Sequence, residues 1–162
     1  MTTTETGGRM TSNSRGDFLD IARSWAEDPS AWTARPRFDP QQRWYHRMHV
    51  GDGYEVWLLT WLPGQETELH DHGGSAGAFT VVSGELTEFT PSATSAGLST
   101  WTLRSGQGHR FGARFIHKVT NRGTEPAISV HAYGPALTIM RRYELTESGL
   151  RMANVEMAGA QW

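Results

Sequence analysis

The chain of 162 residues contains no cysteine. That absence excludes disulfide staples, thiolate zinc sites, iron–sulfur ligation and a cysteine nucleophile. An excess of one charge is also missing: 15 Lys+Arg stand against 17 Asp+Glu, a formal net charge of −2. Nothing in bulk therefore attracts nucleic acid or an anionic membrane. No apolar run approaches the roughly 20 residues of a membrane helix. The opening Met1-Thr2-Thr3-Thr4-Glu5 lacks the apolar stretch of a signal peptide. These absences lead to the expectation of a cytoplasmic, monomeric enzyme or binding protein without nucleic-acid or membrane partners. What the chain does have is seven histidines. With thiolates excluded, a metal site has to be built from imidazole and oxygen.

Residues 1–16 are polar, rich in Thr, Ser and Gly, and read as a disordered tail, because they bury too little to offset ordering entropy. At Asp17 the pattern changes. Phe18, Leu19, Ile21, Ala22 and Trp25 recur at helical spacing behind an Asp in capping position, and Pro29 stops the run. A second short helical turn is expected near Pro40–Trp44. From Tyr45 the texture becomes β. Expected strands are Tyr54–Leu62, Ala78–Val82, Glu85–Thr90, Ser99–Leu103, His109–Phe111, Lys118–Asn121, Ile128–Tyr133 and Thr138–Tyr143, with Gly, Pro, Ser or Asn in nearly every gap. Residues 148–162 are weakly patterned and receive no assignment. The class is all-β, an antiparallel sandwich or barrel with one or two N-terminal helices packed outside, as a single domain over 17–162.

The densest group of chemistry-bearing residues is Leu69-His70-Asp71-His72, followed by Gly73-Gly74-Ser75-Ala76-Gly77. Along a strand, side chains alternate faces, so His70 and His72 project from one side and Asp71 from the other. Two imidazoles on one face can converge on a first-row metal. His117 or His131 can supply a third ligand, while His46, His49 and His109 have no partner at ligand spacing. By the same alternation Ser129, His131 and Tyr133 share one face, where a hydroxyl, an imidazole and a phenol can hydrogen-bond in sequence. An inward row of this kind is also common in ordinary strands. Trp57 and Trp61 share a face and read as core. Asn121 reads as fixing the turn near His117.

Gly64, then His70-x-His72, then Gly84 resembles the first signature of the cupin superfamily, and Gly106 with His117-x-x-x-Asn121 resembles the second. Where typical cupins place a glutamate ligand, this chain has Gly77; Gly112 and Arg114 stand where Pro and Gly are usual. From about Tyr45 to Tyr143 the chain is similar to the thiol dioxygenase branch, the bacterial cysteine dioxygenases. The likeness is carried by Tyr45-His46-Arg47, Pro63-Gly64, the run from His70 to Gly77, Gly84-Glu85-Leu86, His117–Asn121 and the run Ser129–Pro135.

The resemblance implies a cupin-type β-barrel, or jelly roll, with Fe(2+) held by His70, His72 and His117. Beside the iron it implies a Ser129–His131–Tyr133 relay, and Arg47 with Tyr45 at the substrate. A guanidinium presents a planar fork that matches a carboxylate. Members preferring 3-mercaptopropionate tend to have Gln where Arg47 stands, so Arg47 tilts the reading toward L-cysteine, oxidised with O2 to cysteine sulfinic acid. Animal members carry at the position of Gly77 a cysteine cross-linked to the relay tyrosine; this chain lacks it. Dioxygenation of 3-mercaptopropionate or another small thiol, and a non-catalytic metal-binding cupin, are the alternatives.

Overall fold

The computed structural model describes residues 17–92 and 97–158. The tail expected at residues 1–16 lies outside them. One α-helix, α1 (Phe18–Glu27), precedes eleven strands: β1 (Tyr45–Gly51), β2 (Tyr54–Trp61), β3 (Leu69–Asp71), β4 (Ala76–Ser83), β5 (Glu85–Pro91), β6 (Leu98–Arg104), β7 (Gly108–Phe111), β8 (Lys118–Thr120), β9 (Ala127–Gly134), β10 (Ile139–Thr146) and β11 (Gly149–Met157). Asp17 caps α1, its Oδ1 accepting the Leu19 N–H at 2.9 Å. Beyond the helix, Pro29–Ala31 form a single 3-10 turn. The helical turn expected at Pro40–Trp44 is absent: residues 40–42 form a bend, and Trp44 leads directly into β1. Its carbonyl accepts the Thr60 N–H at 2.9 Å, so the sheet claims this backbone before a helix can.

All strand pairs are antiparallel. A five-stranded sheet has the order β1-β2-β9-β4-β7. Two three-stranded sheets, β11-β10-β3 and β6-β5-β8, form the rest, joined by isolated bridges between His70 and His117 and between Glu66 and Thr120. The strand pairing does not close into a full barrel; the architecture is a jelly roll of facing sheets.

β2 is buried on both faces, which is why its sequence reads as one apolar run. Trp57, Leu59 and Trp61 point between the sheets, where they pack with Phe79, Val81, Leu86, Phe111, Val119 and Tyr133. Val56 and Leu58 point the other way, joining Val130, Ala132 and Met48 under the Phe18, Ile21, Ala22 and Trp25 stripe of α1. The helix thus seals the outer face of the five-stranded sheet, and the inner face is left to build a site.

The unassigned residues 148–162 contain a full strand, β11, hydrogen-bonded to β10. Its alternation is hidden in the sequence by a β-bulge: Met152 pairs with Tyr143 and Asn154 with Arg142, leaving Ala153 as an extra residue. Apolar residues fall at Leu150 and Met152 before the bulge and at Val155 and Met157 after it, so the period-two pattern slips by one. Among the described residues, no helix is long and apolar enough to cross a membrane.

Candidate metal centre

His70 lies in β3, and His117 immediately precedes β8. A reciprocal pair of backbone hydrogen bonds ties the two residues: His70 N–H to His117 O at 2.9 Å and His117 N–H to His70 O at 3.0 Å. His72 lies one residue beyond β3, in a turn through Gly73 and Gly74, whose φ angles are +62° and +104°. A side chain on Gly73 would run into the backbone carbonyl of Ile139, so both conformation and space demand glycine there. Asp71 points away from the histidines. Its Oδ1 accepts the Gly73 N–H at 2.8 Å, and its Oδ2 takes the Tyr143 hydroxyl at 2.7 Å and lies 3.3 Å from Arg141.

Strand and turn together bring one ring nitrogen from each of His70, His72 and His117 within 4.8 Å of one another, all three residues buried. The tautomers follow from the partners. His70 Nδ1 lies 2.8 Å from the carbonyl of Glu68, which can only accept, so Nδ1 carries the proton and Nε2 the lone pair. His117 Nδ1 lies 2.7 Å from Glu88 Oε1 with the same consequence. His117 Nε2 and His72 Nε2 face each other at 3.4 Å. His72 Nδ1 is buried without a hydrogen-bond partner. Burial, and then the charge of neighbouring histidines, holds His70 and His72 well below the usual histidine range. His70 and His72 are therefore held uncharged, and the three imidazoles together offer the nitrogen donor set that a divalent first-row metal needs. No carboxylate belongs to it among the described residues.

A carboxylate stands directly behind it. Glu88, fully buried in β5, bridges His117 through Oε1 and His109 Nδ1 through Oε2 at 2.6 Å. Burial acts to raise its pKa, but the hydrogen bonds from His109 and His117 outweigh that and hold it at about 2. The same contact raises His109 above its ordinary range. His109 thus lies outside the cluster and shares a carboxylate with one of its members.

On β9, Ser129, His131 and Tyr133 form a buried row. Ser129 Oγ lies 2.8 Å from His131 Nε2, and His131 Nδ1 lies 3.1 Å from the Tyr133 hydroxyl. The row begins one residue earlier than the sequence suggests, because the Trp61 indole N–H donates to Ser129 Oγ at 2.9 Å. An indole can only donate, so the serine proton is available to His131 Nε2, and His131 Nδ1–H then donates to the tyrosine oxygen. Burial, then His117, pushes His131 down to about 3, and burial pushes the Tyr133 hydroxyl upward. At neutral pH both are uncharged. The Tyr133 ring lies 4.9 Å from the His72 ring, and Phe111 stacks on His72 at 4.7 Å. Gly77 faces Tyr133 across the sheet; a Cβ there would lie 2.8 Å from Tyr133 Cδ1 and 3.0 Å from Phe111.

Arg47, Trp57 and His131 are register neighbours across β1, β2 and β9, so Arg47 shares the inner face with the row. Its guanidinium is half exposed, 3.7 Å from the buried Glu55 and over the Trp57 ring at 5.7 Å. Tyr45 meets the same Trp57 edge-on at 5.9 Å. Trp57 and Trp61 belong to the inner core. Asn121 braces the turn beyond β8, donating to the Trp61 and Glu125 carbonyls at 2.9 and 2.8 Å.

Sequence reasoning missed Glu88 and Arg43. Glu88 lies in phase with the buried Leu86 along β5, a faint sign that it points inward. Nothing in the sequence sets Arg43 apart from the nearby Arg35 and Arg37. It is buried, stacked over Trp61 at 5.1 Å, with Nε donating to the Glu66 carbonyl at 3.1 Å. Its Nη1 is buried without a partner, and burial, then Arg142, lowers its pKa to about 10.

A model of the family described as cysteine dioxygenase type I matches residues 16–146. Human cysteine dioxygenase type 1 is 28% identical over 124 residues, which cover 71% of this chain and 62% of the human protein. The chain therefore spans less than two thirds of that relative's length. Cysteine dioxygenase type 1 of Danio rerio is 24% identical over 146 residues, covering 79% of this chain and 69% of the fish protein. Two solved structures share the fold. A double-stranded β-helix protein from Klebsiella pneumoniae has a TM-score of 0.54 at 21% identity, covering 73% of this chain and 90% of its own. An RmlC-like cupin from Desulfovibrio desulfuricans has a TM-score of 0.54 at 19% identity, covering 65% and 93%. With the three-histidine cluster in such a fold and a family model running along most of the sequence, the chain belongs to the cysteine dioxygenase type I family.

Proposed function

We propose that this protein is an iron(II)-dependent thiol dioxygenase that oxidises L-cysteine with O2 to cysteine sulfinic acid. The observation that carries the reading is the placement of three buried, converging imidazoles against the Ser129–His131–Tyr133 row. His70, His72 and His117 would hold the iron, which when bound supplies the sites where thiolate and dioxygen meet. Lacking a carboxylate ligand, the cluster leaves a divalent ion its full positive charge, which favours an anionic substrate.

The chain's own residues account for the rest. Arg47, at the mouth of the inner face, holds the substrate carboxylate, with Tyr45 beside it. Tyr133 keeps its proton at neutral pH and offers it, as a hydrogen bond, to oxygen on which negative charge develops. His131, fixed by Ser129 and in turn by Trp61, orients that hydroxyl. Phe79, Phe111 and Trp61 exclude water, which strengthens each of these polar contacts. A substrate that must arrive as a free thiol suits a reducing compartment, in keeping with a cytoplasmic enzyme.

Metal analysis of the native protein together with an oxygen-electrode assay tests the reading. Iron at one per chain, and equal consumption of L-cysteine and O2 with sulfinic acid formed, are expected. A His117→Ala variant should lose both metal and turnover; full iron binding and activity in that variant would overturn the ligand assignment. Metal-loaded protein that takes up no oxygen with any small thiol would overturn the activity.

A further inference from the structure

Five of the eight large hydrophobic side chains exposed among the described residues lie on the β10–β11 hairpin: Leu145, Leu150, Met152, Val155 and Met157, between 37% and 69% exposed. Cross-strand partners share a face. The pairs Leu145/Leu150, Tyr143/Met152, Arg141/Val155 and Ile139/Met157 therefore line one face, while Glu144/Arg151, Arg142/Asn154 and Met140/Glu156 line the other. Arg142 pairs with His70, so the second face looks toward the metal centre and the apolar one turns away from it. Among the described residues β11 is an edge strand, with β10 on one side only. It carries neither proline nor lysine, two common protections against edge pairing.

The bulge gives this edge an unusual symmetry. Met152 and Val155 are three residues apart and would fall on opposite faces of an unbroken strand. The extra residue at Ala153 puts them on the same face. The same holds for Leu150 with Met157 and for Arg151 with Glu156. Reading outward from the Ala153–Asn154 link, the order of faces is the same in both directions. Such a strand can pair antiparallel with itself about a two-fold axis at that link. Leu150 would then oppose Met157 of the second copy and Met152 would oppose Val155, all on the apolar face. Arg151 and Glu156, the only charged residues of the strand, would oppose each other twice on the other face. Each already holds an ion pair within its own chain, Arg151 with Glu144 at 2.5 Å and Glu156 with Arg142 at 3.1 Å. The pairing would link these into one row of alternating sign.

We infer that the β11 edge is an isologous interface between two copies of this chain, replacing the monomer expected from sequence. The interface continues the β11-β10-β3 sheet across the axis and sets the apolar faces of the two copies side by side, so that their side chains meet across the seam. It is independent of the proposed activity.

The absence of native cysteine gives a register-specific test on the full-length chain. Sedimentation should show a particle of twice the chain mass from low to high micromolar concentration. Under mild oxidation, the double variant Met152→Cys/Val155→Cys should become a covalent dimer, because those two positions are opposed across the axis; either single variant should link far less. Met152→Lys/Val155→Lys should be monomeric while keeping zinc affinity and circular dichroism unchanged, which separates a lost interface from a lost fold. A monomer at every concentration, a dimer that survives both lysines, or single-cysteine variants that cross-link as well as the double would each overturn the inference.

Discussion

Glu88 Oε1 lies 2.7 Å from Nδ1 of His117, so a buried carboxylate stands directly behind a candidate metal ligand. The cluster has no carboxylate of its own, and this contact returns part of the missing negative charge from one bond further out. It fixes the His117 tautomer and makes Nε2 a better donor. Glu88→Gln keeps the shape and removes the charge. Titration of the metal-free variant with zinc or cobalt should show affinity reduced by about 10–100-fold. Unchanged affinity would mean that Glu88 serves packing alone.

In the proposed reaction Tyr133 acts through one proton. Tyr133→Phe keeps the ring against His72 and Phe111 and deletes the hydroxyl. Turnover should fall by about 100-fold or more, while metal content and melting temperature stay close to those of the parent protein. Because Trp61 feeds the same row, Trp61→Phe should lower turnover in the same direction but less, since the Tyr133 hydroxyl itself remains.

On the proposed reading, Arg47 decides substrate choice. Losing a charge-assisted contact to a carboxylate costs about 1.5–3 kcal/mol, so Arg47→Gln should raise KM for L-cysteine by one to two orders of magnitude. The ratio of 3-mercaptopropionate to cysteine turnover should rise with it, and metal affinity should not move. A parent protein that already prefers 3-mercaptopropionate would transfer the same chemistry to that thiol.

Acid should weaken the fold through His131. Its folded pKa, about 3, lies below the ordinary histidine value of 6.5, so between these values the unfolded chain binds a proton that the folded chain refuses. Stability is therefore fully present above pH 6.5 and is lost as pH falls toward 3. The limiting slope is about 1.4 kcal/mol per pH unit for one such histidine. Glu88 adds to the loss below pH 4.5, the ordinary glutamate value, because its folded pKa is held at about 2. His109 works in the opposite direction: its raised pKa stabilises the fold at low pH and loses effect as pH climbs through it. Urea unfolding of metal-free protein across this range checks the sign, and His131→Gln should flatten the slope by one proton.

Much of this was legible along the chain. The strands from Tyr54 to Tyr143 announced themselves by alternating apolar residues between turn formers. The His70-x-His72 spacing, followed by Gly73 and Gly74, marked a place where imidazoles converge. The β11 strand was not legible, because its bulge at Ala153 breaks the alternation by which a strand is recognised. Nor was the bend at residues 40–42, where a helical turn was expected: the Trp44 carbonyl is held by Thr60 of β2, not by local propensity.

By itself, the sequence determined which chemistry was open: no thiolate ligand, imidazoles in a β fold, and a hydroxyl–imidazole–phenol row on one strand face. These depend on residue type and on two-residue periodicity, which are local. Only the tertiary structure decided what stands behind each of them. Glu88 reaches His117 from 29 residues away, Trp61 reaches Ser129 from 68 away, and Arg43 lies buried over that same tryptophan. Those contacts arise where sheets face each other, and no pattern along one strand records which side chain will meet it from the opposite layer.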